Sequence, residues 1–437
     1  MTPRLLILSA YPPSLEAPHG GSRVAAQLIR GLAELNRVAL VCLRGEDEPK
    51  VDPGVAERCE SVTAVARPAI SPRDARRRRL AGLARGRPSW VADWSVAECH
   101  ARIGELSEEW RPDLVHVHYQ VMGQYLPSLR GGRAPRVLVV YEPATSRAAA
   151  SVREAPLGPR RALRYADYLA WHRFERRLVR SVEAVTVFTE RDRDDLAPFA
   201  GMDSISVIPF GVEAPAQPLD PVGDEAQLLF VGNFVHRPNV DAALRLASEI
   251  FPRVRASHPE VKLELVGPEP PPELTALGDA AVSVTGAVPD LTLHLDRASV
   301  VVAPIRRGGG MRVKVLEALA GGKAVVASPL AAEGLEVADQ LVLAETDDEF
   351  VGAISRLLAE PERRRELAER ARRFALERLG WERTLAAYDR LHASLLSPAA
   401  TERDHERVAG ETPDAEPVAP PAPVPPAPED ADEPREA

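Results

Sequence analysis

The stretch Ser299–Ser328, SVVVAPIRRGGGMRVKVLEALAGGKAVVAS, constrains the fold of this chain more than any other. Val300, Val301 and Val302, followed by Pro304 and Ile305, form a run that reads as a buried strand. The run breaks at Arg306-Arg307-Gly308-Gly309-Gly310. A helix is predicted next, with Val313, Leu316 and Ala320 on one face at spacings of three and four. Gly321 is placed to end it as a left-handed cap, and Ala324–Ser328 reads as the following strand. A strand–glycine loop–helix–strand unit of this kind belongs to an α/β fold with a parallel sheet.

The same residues carry chemistry. Glycines at a helix start let backbone N–H groups approach a ligand closely, and the helix dipole there favours negative charge. Arg306, Arg307 and Arg312 crowd that end, while Lys314 and Glu317 share a face of the helix. Glu317 lies ~9–10 Å along the axis from the glycines at ~1.5 Å per residue. Such a layout suits a ligand with a diphosphate at one end and sugar hydroxyls at the other. A tight connection flanked by solvated arginines is the plain structural alternative.

Two such α/β halves are predicted. The first covers residues 1–212, with strands at Leu5–Ala10, Val38–Leu43, Leu114–His118, Arg136–Tyr141, Ala184–Phe188 and Ser204–Pro209, and a helix from about Ser22 to Leu35. Between Val51 and Glu109 the pattern blurs into Arg-rich helical stretches. The second covers 213–380, entered through the Pro-rich segment Gly211–Glu225, which reads as a linker. Its strands are Leu228–Gly232, Lys262–Val266 and Val282–Thr285, and its first helix is Val240–Val254 with Asn239 as cap. Helices Asp347–Leu358, Pro361–Leu379 and Trp381–Leu395 close the ordered part; residues 381–396 form a final helix. From 397 to 437 the chain is Pro, Ala, Glu and Asp, too poor in large apolar groups to offset ordering entropy, and is expected to be disordered.

Composition narrows the class. At 437 residues and 45 % hydrophobic content the chain can fill two cores. No apolar run approaches the ~20 residues of a bilayer span, and Leu5–Ala10 is too short for a signal peptide. Cys42, Cys59 and Cys99 are odd in number and far apart, which argues against a zinc ribbon or a disulfide framework and fits a reducing cytosol. The net charge of −9 is unevenly spread. Glu60–Arg180 carries 22 Arg against 12 acidic residues, whereas Thr401–Ala437 carries 3 Arg against 11. The run Arg73–Arg79, with Leu80, Leu83, Trp90 and Trp94 as apolar partners, suggests docking on an anionic membrane. Nucleic acid is not among the expected partners.

The ordered motif P-x-R-x-G-G-G-x-R-x-K-x-L-E-A-L-A-x-G-x-x-V-V-A-S resembles the donor-binding motif of glycosyltransferase family 4, retaining enzymes of the two-domain GT-B fold. The resemblance covers nearly all of residues 4–396 and is strongest over Leu228–Leu335. It implies two Rossmann-like domains, an acceptor domain and a donor domain, with the final helix crossing back onto the first. It also implies a nucleotide-diphosphate sugar (UDP- or GDP-linked) as donor, a glycan, lipid-linked or small-molecule acceptor, and no metal or other cofactor. The donor would be held by Gly308, Gly309, Gly310, Met311, Arg312, Lys314 and Glu317, with Glu317 on the ribose. His236 or Arg237 in FVGNFVHRPN would meet the diphosphate. Gly20 and Gly21, in Y-P-P…H-G-G-S-R, resemble the family's first-domain glycine loop.

On the catalytic side the resemblance points to His118, Tyr141 and Glu142. Asp113–Tyr119 matches a strand that lines the family's acceptor pocket, and strand alternation puts His116 and His118 on one face. The chain departs from the family pattern at two positions. Tyr141 stands where the family has a His that contacts the transferred sugar, and Gly309 stands where it has the first Glu of its pair. A tyrosine can donate a hydrogen bond but does not readily exchange a proton near neutral pH. Two alternatives follow: a GT-B protein that has lost turnover and serves as a binding or partner subunit, or a nicotinamide-dependent oxidoreductase. The lack of a G-x-G-x-x-G after a strand argues against the second. Asp192-x-Asp194 mimics a metal motif, but it sits at a helix start where acidic residues are favoured anyway, and no metal is assigned to it.

Overall fold

The computed structural model describes residues 2–15, 17, 20–132, 134–221, 226–288, 290–308, 313–335 and 339–397. The chain divides into two compact units: one of Met1–Ala17, Gly21–Val207 and Tyr388 onward, the other of Pro18–Gly20 and Ile208–Ala387. The expected disordered tail, beyond Ser397, lies outside the described residues, as do Gly309, Gly310, Met311 and Arg312.

The first unit is built on a seven-stranded parallel sheet. Its strands are β1 (Arg4–Ser9), β2 (Arg37–Arg44), β3 (Ser61–Ala66), β4 (Leu114–His118), β5 (Arg136–Val139), β6 (Ala184–Val187) and β7 (Ile205–Val207), in the order β3-β2-β1-β4-β5-β6-β7. Strand order reverses between β1 and β4, the point where open α/β sheets bind ligands at their carboxyl ends. The central strands are fully buried because helices cover both faces, which is why they read as continuous apolar runs. Edge strand β3, in the stretch where the sequence pattern blurs, has only Val65 in the core.

The second unit carries a six-stranded parallel sheet. It comprises β8 (Gln227–Val231), β9 (Lys262–Val266), β10 (Val282–Gly286), β11 (Val300–Ala303), β12 (Val325–Ala327) and β13 (Val342–Leu343), in the order β10-β9-β8-β11-β12-β13. Its switch point lies between β8 and β11.

Several expectations are corrected. The helix Val313–Gly321 runs one residue further than foreseen, so Gly322, at φ 74°, is the left-handed residue. The Gly322 and Lys323 amides bond back to the Leu319 and Ala318 carbonyls, a Schellman closure. The first helix of this unit begins at Arg237, so Asn239 lies inside it rather than at its cap. That helix does not continue evenly to Val254: a π turn at Leu246–Ile250 precedes Pro252, whose missing N–H cannot enter the usual ladder. The stretch Gly211–Glu225 is no free linker where it is described. Val212 N donates to Leu379 O at 2.7 Å, Leu219 N donates to Gly321 O at 3.0 Å, and Leu219 is buried.

Lys323 explains part of that packing. Its side chain is wholly buried and donates to the carbonyls of Asp220 and Asp296. Burial lowers its pKa to about 8 despite the nearby Asp220 and Asp296 charges. Arg372 adds bonds to Pro215 O and Ala320 O, fixing the same segment.

Candidate functional site

In the second unit, the loops after β8 and β11 flank the switch point. Gly308, at φ 99°, holds a backbone conformation that side-chain-bearing residues rarely adopt. The helix Val313–Gly321 buries Val315, Leu316, Ala318, Leu319 and Ala320 against the sheet, leaving Lys314 and Glu317 half-buried on its other side. Lys314 Nζ donates to Asn239 Oδ1 at 2.7 Å and stands 4.7 Å from the centre of the Phe230 ring. Asn239 in turn donates to the Asn233 carbonyl at 2.7 Å. The ammonium is therefore held between the Asn239 side chain, in the helix that begins at Arg237, and the Phe230 ring on β8. Gly232 and Gly267 meet closely here: a Cβ on Gly267 would lie 1.7 Å from the Gly232 carbonyl oxygen. Arg237 is the outlier among the expected donor groups, since its side chain is 77 % exposed and paired with Glu273 at 2.5 Å.

In the first unit, the matching corner follows β1 and β4. The helix Gly20–Leu35 opens with the two glycines, and they differ. A Cβ on Gly20 would meet nothing within 4 Å, whereas one on Gly21 would lie 1.6 Å from the Tyr119 hydroxyl. Tyr119 sits at φ 70°, a strained conformation for a bulky residue and one that marks functional corners. Its ring stacks on Tyr141, with centroids 4.1 Å apart and planes 5° from parallel. The Tyr141 hydroxyl and His118 Nδ1 are hydrogen-bonded at 2.9 Å.

His118 departs from the expected pocket-lining role. It is 0 % exposed, and its Nε2 has no hydrogen-bond partner among the described residues. Burial drops its pKa to about 3, and burial raises that of Tyr141 well above the ordinary phenol value. Both groups stay neutral across the physiological range, and the His118 ring meets this corner through its bond to the Tyr141 hydroxyl. His116 lies on the same face, as strand alternation requires, and its Nε2 meets His392 Nε2 at 2.9 Å. His392 lies in the helix Trp381–Leu395, whose later residues, from Tyr388, belong to this unit.

Glu142 is half-buried and forms no ion pair among the described residues. The corner that carries it is held from beneath by Glu175, a wholly buried carboxylate missed at the sequence level. A signal was available, because Tyr168, Trp171, Glu175 and Leu178 follow the three-and-four spacing of one buried helical face. Asp192 lies in the first turn of its helix, bonded to the capping Thr189, with burial raising its pKa to about 6.

Comparisons with known proteins bear on the family and the fold. Residues 19–211 match the model of the glycosyl transferase 4-like domain, and residues 225–360 match that of the glycosyl transferases group 1. No curated protein matches the chain by sequence. Among solved structures, sucrose-phosphate synthase from Thermosynechococcus elongatus is similar at 19 % identity and a TM-score of 0.65, covering 90 % of this chain and 99 % of that one. The lipopolysaccharide glycosyltransferase WaaG is similar at 15 % identity and 0.61, covering 88 % and 98 %. Anabaena HepE, solved with UDP and glucose, is similar at 13 % identity and 0.61, covering 89 % and 99 %. With both halves matched and a GT-B fold shared with these structures, the chain belongs to the group 1, family 4 type of glycosyltransferases.

Proposed function

We propose that this glycosyltransferase takes a sugar from a nucleotide diphosphate donor and passes it, with retention, to a glycan, lipid-linked or small-molecule acceptor. Membership in the family sets the oxidoreductase alternative aside. The observation that carries the reading is the Lys314–Glu317 face of the helix Val313–Gly321, at the carboxyl end of β11 beside Gly308. In this reading the loop amides and the Lys314 ammonium stabilise the departing diphosphate, and Glu317 accepts hydrogen bonds from the ribose hydroxyls. Cationic side chains do the work a metal would otherwise do. HepE was solved with UDP, which favours a uridine donor for a chain of the same fold.

Glu317→Ala should weaken UDP or GDP binding, measured by calorimetry, by about 1.5–3 kcal/mol, the worth of a hydrogen bond to a charged group. Unchanged affinity in a folded variant sinks the assignment.

Tyr141 and Gly309 favour a second reading, a GT-B protein that binds donor without turnover. Donor hydrolysis or transfer by the wild type, followed by chromatography, decides against it.

Docking of the first unit on an anionic membrane belongs to the same proposal. No helix among the described residues is long and apolar enough to cross a bilayer. The helix Pro72–Ala84 displays Arg73, Arg76, Arg77 and Arg78 to solvent, with Leu80 45 % exposed. Trp90 and Trp94, expected as insertion partners, instead pack against Tyr119 and Tyr11, and Trp94 is buried. Attachment would therefore be mainly electrostatic and fade with salt. Co-sedimentation with anionic vesicles at low salt tests it; absence of binding there removes it.

A further inference from the structure

We infer that Glu175 is a positioning residue for the transfer reaction: one carboxylate that fixes both corners carrying Tyr119, Tyr141 and Glu142. Its side chain is 0 % exposed in an otherwise Arg-rich helix, Pro159–Arg180. Oε1 accepts from the Ala144 amide and from Gln120 Nε2, each at 2.8 Å, and Oε2 accepts from the Thr145 amide at 2.8 Å. Gln120 Nε2 also donates to the Glu142 carbonyl at 2.8 Å.

The topology gives these bonds their meaning. Gln120 follows Tyr119 directly after β4, and Ala144 and Thr145 follow Tyr141, Glu142 and Pro143 directly after β5. The helix Ala144–Glu154 has no side-chain cap of its own, because Pro143 occupies the cap position. Glu175 supplies that cap from a distant helix, with its negative charge at the positive end of the dipole. Through Gln120 it reaches the other corner as well. Tyr119 is strained at φ 70° and Tyr141 stacks on it, so the stack persists only where both corners are held in register. A buried carboxylate kept merely for stability is weak design, since burial favours its neutral form; its three donors here hold its geometry instead.

The inference rests on the transferase reading of the same corner, and the test separates the two. Glu175→Gln keeps the volume but leaves three N–H donors for one acceptor oxygen and removes the charge. It should lower kcat tenfold or more and raise the acceptor KM, while the affinity for UDP or GDP stays within twofold of wild type. The near-UV circular dichroism of the stacked pair, identified by difference against Tyr119→Phe, should be lost in Glu175→Gln even where no turnover is detectable. A purely structural residue would lower Tm and leave both readouts unchanged at 20–25 °C, and that result overturns the inference. If Glu175→Gln does not fold, Gln120→Met replaces it: reduced kcat with intact nucleotide binding supports the inference, and wild-type kcat with an unchanged dichroic signal overturns it. A wild type without nucleotide binding would refute the transferase reading alone, the dichroic comparison still deciding the role of Glu175.

Discussion

Mild acid should destabilise the first unit before ordinary carboxylates titrate. His116 and His118 are 0 % exposed and His392 is 4 % exposed. Burial depresses all three: His118 to about 3, His392 to about 4, and His116 well below its usual value, the last also through His392 and His118. In the unfolded chain each titrates near 6.5. Above pH 6.5 both states are neutral at these sites and nothing is lost. As pH falls below 6.5 the unfolded chain binds protons that the native state refuses, so stability declines by ~1.4 kcal/mol per pH unit per histidine. Asp192 opposes this, because its folded pKa is raised to about 6 and the native state binds that proton first. Glu175 opposes it in the same direction. At pH 5.5 the three histidines and Asp192 taken alone give an uptake of about two protons on unfolding, a slope of ~2.7 kcal/mol per pH unit from these four groups. Against a total stability of about 5–15 kcal/mol, that slope is decisive within two pH units. Trp90, Trp94, Trp110 and Trp171 lie in the first unit and only Trp381 in the second, so urea unfolding followed by tryptophan fluorescence reports chiefly on the first. His392→Gln should reduce the uptake at pH 5.5 by ~0.9 proton. A stability that is flat between pH 6.5 and 5, or a slope unaffected by His392→Gln, would refute the reasoning.

Three further substitutions have defined outcomes. Gly21→Ala forces a Cβ against the Tyr119 hydroxyl and should cost about 1–3 kcal/mol in thermal or urea unfolding, while Gly20→Ala, with open space at its Cβ, should be close to neutral. Tyr141→Phe removes the hydrogen bond to His118 Nδ1 and leaves a buried imidazole with neither nitrogen bonded, for a loss of about 1–3 kcal/mol. The same variant should lower turnover with little change in UDP or GDP affinity, and equal activity would show that the hydroxyl has no role. Gly322→Ala meets only ordinary contacts but must adopt φ 74°, so it should destabilise the second unit by ~1 kcal/mol in urea unfolding.

The strands were legible in the sequence because parallel sheets bury both faces and leave uninterrupted apolar runs, as in Leu5–Ala10 and Val300–Val302. Edge strand β3 escaped notice for the converse reason, since SVTAVA alternates weakly and buries one residue. Gly321 and Gly322 look alike in sequence, and only the hydrogen bonds to the Ala318 and Leu319 carbonyls make Gly322 the left-handed cap. The candidate site divides along the same line. Lys314 and Glu317 were visible through their spacing on one helix. Asn239 and Phe230, which aim Lys314, and Glu175, which holds the Tyr119 and Tyr141 corners, come from elsewhere in the sequence. Their roles arise only when the fold brings distant segments of the chain together.

One departure from the family pattern, Tyr141, acquires a physical sense in this frame. A histidine at position 141 would titrate near neutrality if left in contact with water. The tyrosine present there instead stacks flat on Tyr119, bonds to a buried neutral His118, and has its proton locked in place by burial. Every group in that contact is uncharged near pH 7, so the corner can orient a hydroxyl or a ring by shape and by one hydrogen bond but cannot exchange a proton with it. Glu142, next along the chain, is half-buried and has no ion pair among the described residues. On the proposed transferase reading, orientation falls to the tyrosines and charge to Glu142, and the bond from Gln120 to the Glu142 carbonyl serves that division.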